Sequence, residues 1–76
     1  MPHIIIKLWP GRTEEQKQNI AKKVTEAILE SANVSEESIS IGIEEIPTKC
    51  WEEEVYKPDI LAKQDTIYKK PGHNPN

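Results

Sequence analysis

Three isoleucines in a row, Ile4, Ile5 and Ile6, open the hydrophobic pattern of this 76-residue chain. Set within residues 3–9, an unbroken apolar centre suits a β-strand covered on both faces. Pro10-Gly11 breaks the run. Thr13, with Gln16 three residues on, is a capping-box signature, and Glu14 and Glu15 stand where the positive end of a helix dipole favours them. The spacing predicts a helix over residues 14–32. Ile20, Val24, Ala27, Ile28 and Ser31 form one stripe, with Glu14, Lys17, Lys22 and Glu26 mostly opposite. Asn33 is the expected stop.

The period then changes to two. Ile39, Ile41 and Ile43 point one way, and Ser40, Gly42 and Glu44 the other. Strand, long helix, strand is a right-handed β-α-β unit with parallel strands. Two strands and one helix cannot cover their own apolar surface, so the sheet calls for a second copy of the chain. From Pro47 the texture differs. Thr48 offers a cap for a short helix with Trp51, Val55 and Tyr56 inward, which Pro58 ends or restarts. Ile60, Leu61, Ile67 and Tyr68 then share one helical side. The expected organisation is one domain over 1–76: an α+β core at 2–46, short helices at 47–71 and a flexible end at 72–76.

Composition narrows the class. A chain of this size buries only roughly 60% of its surface, so oligomerisation is the expected route to stability. Cys50 is the sole cysteine, which excludes an intrachain disulfide and fits a cytoplasmic protein. Cys50, His3 and His73 lack metal-site spacing. The net charge of −3 argues against nucleic acid or an anionic membrane as partner. No apolar stretch approaches a bilayer span, and the first residues do not read as a signal peptide.

The candidate chemistry begins at Pro2. With Met1 in place, Pro2 is a residue without an amide proton, tolerable at the start of an edge strand. With Met1 removed, it is a secondary amine and a base. Arg12, in the loop after the first strand, either pairs with Glu14 or Glu15 or meets an anion. His3 follows Pro2, and alternation turns it to the opposite face, a structural position. Cys50 has no evident base partner, and Glu52, Glu53 and Glu54 read as a solvated face. Lys7 faces either the site or solvent.

Met-Pro, an apolar strand, Gly11-Arg12-Thr13 before an acidic helix, and ISIGIEEI at 39–46 together resemble the 4-oxalocrotonate tautomerase family over residues 2–51. Trp51 and the closing KKPGHNPN are similar to its para-phenylpyruvate tautomerase-like branch. The resemblance implies a tautomerase/MIF-like fold, a homo-oligomer with dimer favoured over hexamer, and no cofactor or metal. It also implies a cofactor-free isomerase that moves a proton between carbon and oxygen in a small α-keto or enol acid, with Pro2 as general base. A free α-amino group titrates near about 7.7–8.0, and an apolar surround with a nearby cation lowers a proline amine toward neutrality. Arg12 matches the family's arginine, which forks onto a carboxylate or polarises a carbonyl. Trp51 falls where the family has an aromatic wall, although packing alone accounts for such a residue. Ser40 departs from the pattern, since the best-known members carry a second arginine there. That departure favours a monocarboxylate such as phenylpyruvate over a dicarboxylate. Hydration, dehalogenation or decarboxylation by the same proline, and a non-catalytic oligomer, are the alternatives.

Overall fold

A computed structural model describes residues 1–72. The expected flexible end at 72–76 therefore lies, from residue 73 on, outside the described residues, as does His73. The order of elements is β1 (His3–Leu8), α1 (Glu14–Ser31), β2 (Ser40–Glu45) and a helical tail. The tail consists of a single 3-10 turn (Thr48–Cys50), a nine-residue π-helix (Glu52–Ile60) and a short 3-10 helix (Leu61–Thr66). β1 and β2 are parallel, with His3 opposite Ser40, Ile5 opposite Gly42 and Lys7 opposite Glu44. This is an α+β fold built on one parallel β-α-β unit.

The register sorts the side chains by alternation. Ile4, Ile6, Leu8, Ile41 and Ile43 share one face and are half-buried. α1 covers that face, and its Lys17 reaches Glu45 of β2 at 3.6 Å. His3, Ile5, Lys7, Ser40, Gly42 and Glu44 share the other. The molecule measures 37 × 32 × 19 Å, and the thin dimension matches one helix laid on one sheet.

α1 starts where its cap chemistry places it. Thr13 Oγ1 accepts from the Gln16 amide at 3.0 Å, and Gln16 Oε1 accepts from the Thr13 amide at 2.8 Å. The helix ends with Ala32 as cap, its amide bonded to the Ile28 carbonyl. Asn33 follows at φ 53, the left-handed stop that asparagine tolerates. The buried stripe is rotated from the predicted one. Lys17, Ile20, Ala21, Val24, Thr25, Glu26 and Ile28 are half-buried, while Ala27 and Ser31 are exposed. Lys17 lies toward the sheet because its long stem reaches Glu45 along apolar surface.

Other expectations are corrected. β1 is not covered on both faces, since Ile5 is 53% exposed within a single chain. β1 stops at Leu8, and Trp9 turns outward. Ile39 caps a 3-10 turn before β2 and does not start the strand. Thr48 makes no capping hydrogen bond. Pro58 neither ends nor restarts a helix, because it sits inside the π-helix. An α-ladder would press the proline ring against the carbonyl of Glu54, and a wider turn relieves that clash. Leu61 and Tyr68 are exposed, because the second tail helix is 3-10, kinks at Lys63 and ends at Thr66. Val55 is the only hydrophobic residue fully inside among the described residues, at 5% exposure.

Candidate active site

The residues singled out in the sequence separate into two groups at opposite ends of β1. Pro2 and Ser40 form the first. The Ser40 amide donates to the Pro2 carbonyl at 3.2 Å, so the first cross-strand bond of the sheet anchors the residue before β1. Pro2 needs no ladder donor there, which suits a residue with no N–H. Met1 is 99% exposed, and its loss would disturb no packing. The Ser40 hydroxyl, on the face away from α1, stands 2.6 Å from His3 Nδ1.

Arg12 and Trp51 form the second group. Arg12 lies in the loop between Leu8 and α1, after Gly11, whose φ of 122 is open to glycine and strained for other residues. Among the described residues Arg12 makes no hydrogen bond or ion pair. Glu14 bonds instead to Lys17 at 3.5 Å, so the guanidinium projects unpaired into solvent. Trp51 follows β2 and meets Trp9 edge-to-face, with centroids 6.4 Å apart and planes at 89°. That geometry places the positive edge of one ring on the negative face of the other.

Pro2 is six residues before the end of β1, roughly 20 Å at about 3.3 Å per residue. That exceeds the reach of an arginine side chain, so Pro2 and Arg12 of one chain do not form one site. Each chain thus keeps the two groups apart, one at the Pro2 end and one at the Arg12–Trp51 end.

The tail links the Arg12–Trp51 group to the open face of the sheet. Trp51, Val55, Asp59 and Ile60 recur every four to five residues, the spacing that an i→i+5 ladder brings onto one side. With Ile5, Lys7 and Lys63 they line a cleft of about 420 Å³. Lys7 settles its own ambiguity here: it faces this cleft and donates to Asp59 Oδ2 at 2.7 Å. That hydrogen bond raises the Lys7 pKa above its ordinary value. Desolvation opposes the rise, while the charges of Asp59, Glu44 and Glu54 add to it. Glu52, Glu53 and Glu54 are solvated as expected, and Cys50 is a half-buried free thiol. Sequence reasoning missed the Lys7–Asp59 pair and the His3–Ser40 pair. The second was open to discovery from strand register alone.

Comparison with known proteins shows the family. A family model described as "Tautomerase enzyme" matches residues 2–52. A tautomerase PptA of Pectobacterium carotovorum is 37% identical over 75 residues, 97% of this chain and 99% of that protein. A 2-hydroxymuconate tautomerase of Bacillus subtilis is 50% identical over 46 residues, 60% of this chain and 74% of that one. Among solved structures, YwhB, a homologue of 4-oxalocrotonate tautomerase, superposes with a TM-score of 0.61 at 47% identity. The match covers 62% of this chain and 77% of that one. The chain belongs to the tautomerase family, within the 4-oxalocrotonate tautomerase group and its PptA-like branch, and is an isomerase. Its full-length similarity lies with the PptA proteins, and the core alone carries the match to the shorter muconate enzyme.

Proposed function

We propose that the chain, once Met1 is removed, interconverts the enol and keto forms of a monocarboxylic α-keto acid such as phenylpyruvate. The carrying observation is the separation of Pro2 from the unpaired Arg12 by the length of β1, which one chain alone does not bridge. A two-fold dimer brings the Pro2 end of one chain to the Arg12–Trp51 end of its partner. Exposed Ile5 at 53%, Trp9 at 45% and Leu29 at 37% supply apolar surface for such an assembly. The tail lies over the sheet face that would otherwise pair again, which favours a homodimer over a hexamer. The absence of charge at Ser40 favours one substrate carboxylate over two, and the PptA relatives support the same direction.

In the ketonisation direction the neutral Pro2 amine takes the proton from the enol hydroxyl. The oxygen electron pair closes to the carbonyl, and the carbon–carbon π pair takes a proton from the prolinium at C3. Arg12 of the partner chain stabilises the negative charge that develops on the C2 oxygen. Trp51 walls the site and lowers the local dielectric, which disfavours the protonated amine. The ring of Pro2 holds its nitrogen lone pair in a narrow range of directions.

The test is ketonisation of phenylenolpyruvate followed by ultraviolet absorbance, on protein whose Met1 removal is checked by intact mass. Pro2→Ala is expected to lose about 100-fold or more, the scale of general-base catalysis. Mixing Pro2→Ala with Arg12→Gln subunits is expected to restore about a quarter of wild-type activity, since random dimers rebuild one site in each heterodimer. Full activity in Pro2→Ala would refute the proline base. No recovery on mixing, with subunit exchange verified by mass, would refute the shared site.

A further inference from the structure

At the Pro2 end the open face of the sheet presents one hydrogen-bonded pair. His3 and Ser40 are directly opposite in register, and both are exposed. Their side chains meet at 2.6 Å through His3 Nδ1. The same Ser40 ties its amide to the Pro2 carbonyl at 3.2 Å, so Pro2, His3 and Ser40 form one unit. Alternation sends the Pro2 ring to the other face, which reads as separating His3 from the base. The reacting atom, however, is the backbone nitrogen of Pro2, which points along the strand axis and belongs to neither face. A substrate drawn to that nitrogen would lie at the end of the sheet where the His3–Ser40 pair stands.

We infer that His3 is a specificity-determining residue: with Nδ1 held by Ser40, its Nε2–H binds the substrate carboxylate. When the Ser40 hydroxyl donates to Nδ1, the ring proton sits on Nε2. When the ring is protonated, Nδ1–H donates to the Ser40 oxygen and Nε2–H is again a donor. Nε2 has no partner among the described residues. Lys7, the next cation along that face, is committed to Asp59 at 2.7 Å. A single donor of this kind suits one carboxylate beside the carbonyl, not a second carboxylate at the far end of the substrate. Ser40 is a positioning residue, acting through the orientation of the ring.

This inference rests on the Pro2 reading above, and the experiment separates the two. Ketonisation of phenylenolpyruvate and of its methyl ester is measured for wild type, His3→Ala, His3→Gln, Ser40→Ala and Pro2→Ala. His3→Ala is expected to lose roughly 10- to 100-fold in kcat/KM for the acid, the scale of one charge-assisted hydrogen bond, with most of the loss in KM. The ester is expected to lose less than about threefold, so the preference for the acid collapses. His3→Gln, which keeps an amide donor near the Nε2 position, recovers part of that preference, and Ser40→Ala loses a smaller part. A parallel fall of acid and ester, or an unchanged preference in both His3 variants, overturns the role of His3. If Pro2→Ala is inactive in that case, the proline reading survives alone. If Pro2→Ala is fully active, both fall.

Discussion

Val55 offers the sharpest test of how the tail is held, because it is the one fully buried hydrophobic side chain among the described residues, at 5% exposure. Val55→Ala removes two methyl groups, about 0.8 kcal/mol each by transfer, or about 1.6 kcal/mol. A sealed core would add a cavity penalty. Here the side chain borders a cleft of about 420 Å³, so the new space joins volume already open to water and the added penalty is small. The expected loss is therefore about 1.5–2 kcal/mol, at the low end for a buried truncation. Urea unfolding followed by Trp9 and Trp51 fluorescence reads it directly. The two chains must be compared at equal concentration, since an oligomer's stability depends on it. For a chain of this length the shift is about 6–16 °C in Tm. Leu61→Ala, at 52% exposure, is the control and should stay within about 0.5 kcal/mol. A Val55→Ala loss below about 0.5 kcal/mol would refute the view that this contact holds the tail on the sheet. A loss above about 3 kcal/mol would refute the open-cleft argument.

Two further outcomes follow from the same geometry. Thr13→Ala removes the side-chain arm of the capping box, in which Oγ1 accepts from the Gln16 amide, and should cost about 1 kcal/mol in chemical denaturation, with Thr13→Ser recovering most of it. Lys7 carries a pKa raised above 10.5 by its hydrogen bond to Asp59. A raised folded-state value means that this stabilisation is complete below the unfolded lysine pKa and is lost as pH climbs through the folded one. Tail release is thus expected on the alkaline side of pH 10.5, seen as a change in tryptophan fluorescence. Asp59→Asn should remove that step. An alkaline transition identical in Asp59→Asn would assign it to other groups, the Lys57–Glu53 pair at 2.6 Å among them.

Local chemistry along the chain determined most of the core. The Thr13–Gln16 box, the stop at Asn33 and the two isoleucine-rich strands act through contacts within a few residues, and each lands within a residue or two of its expected place. The open sheet face was also legible, since one helix on two strands leaves Ile5 at 53% exposure; the second copy expected to cover it is part of the proposed dimer. Pro2, Arg12, Ser40 and Trp51 stood out as residues, but their relation did not. Pro2 and Arg12 flank β1 in the chain and so fall at its opposite ends in any topology; only the parallel pairing put Ser40 at the Pro2 end and Trp51 at the Arg12 end, because a crossover helix returns the chain to the end at which β1 began. Register decided the His3–Ser40 pair, through a contact 37 residues apart that no local spacing encodes. The tail was the least legible part. A period of 3.6 assigns Pro58 to a break, whereas the π-helix absorbs the proline by widening. That widening turns Asp59 and Ile60 toward the sheet with Trp51 and Val55. The Lys7–Asp59 bond and the cleft beneath it exist only because long-range packing overrode the local preference.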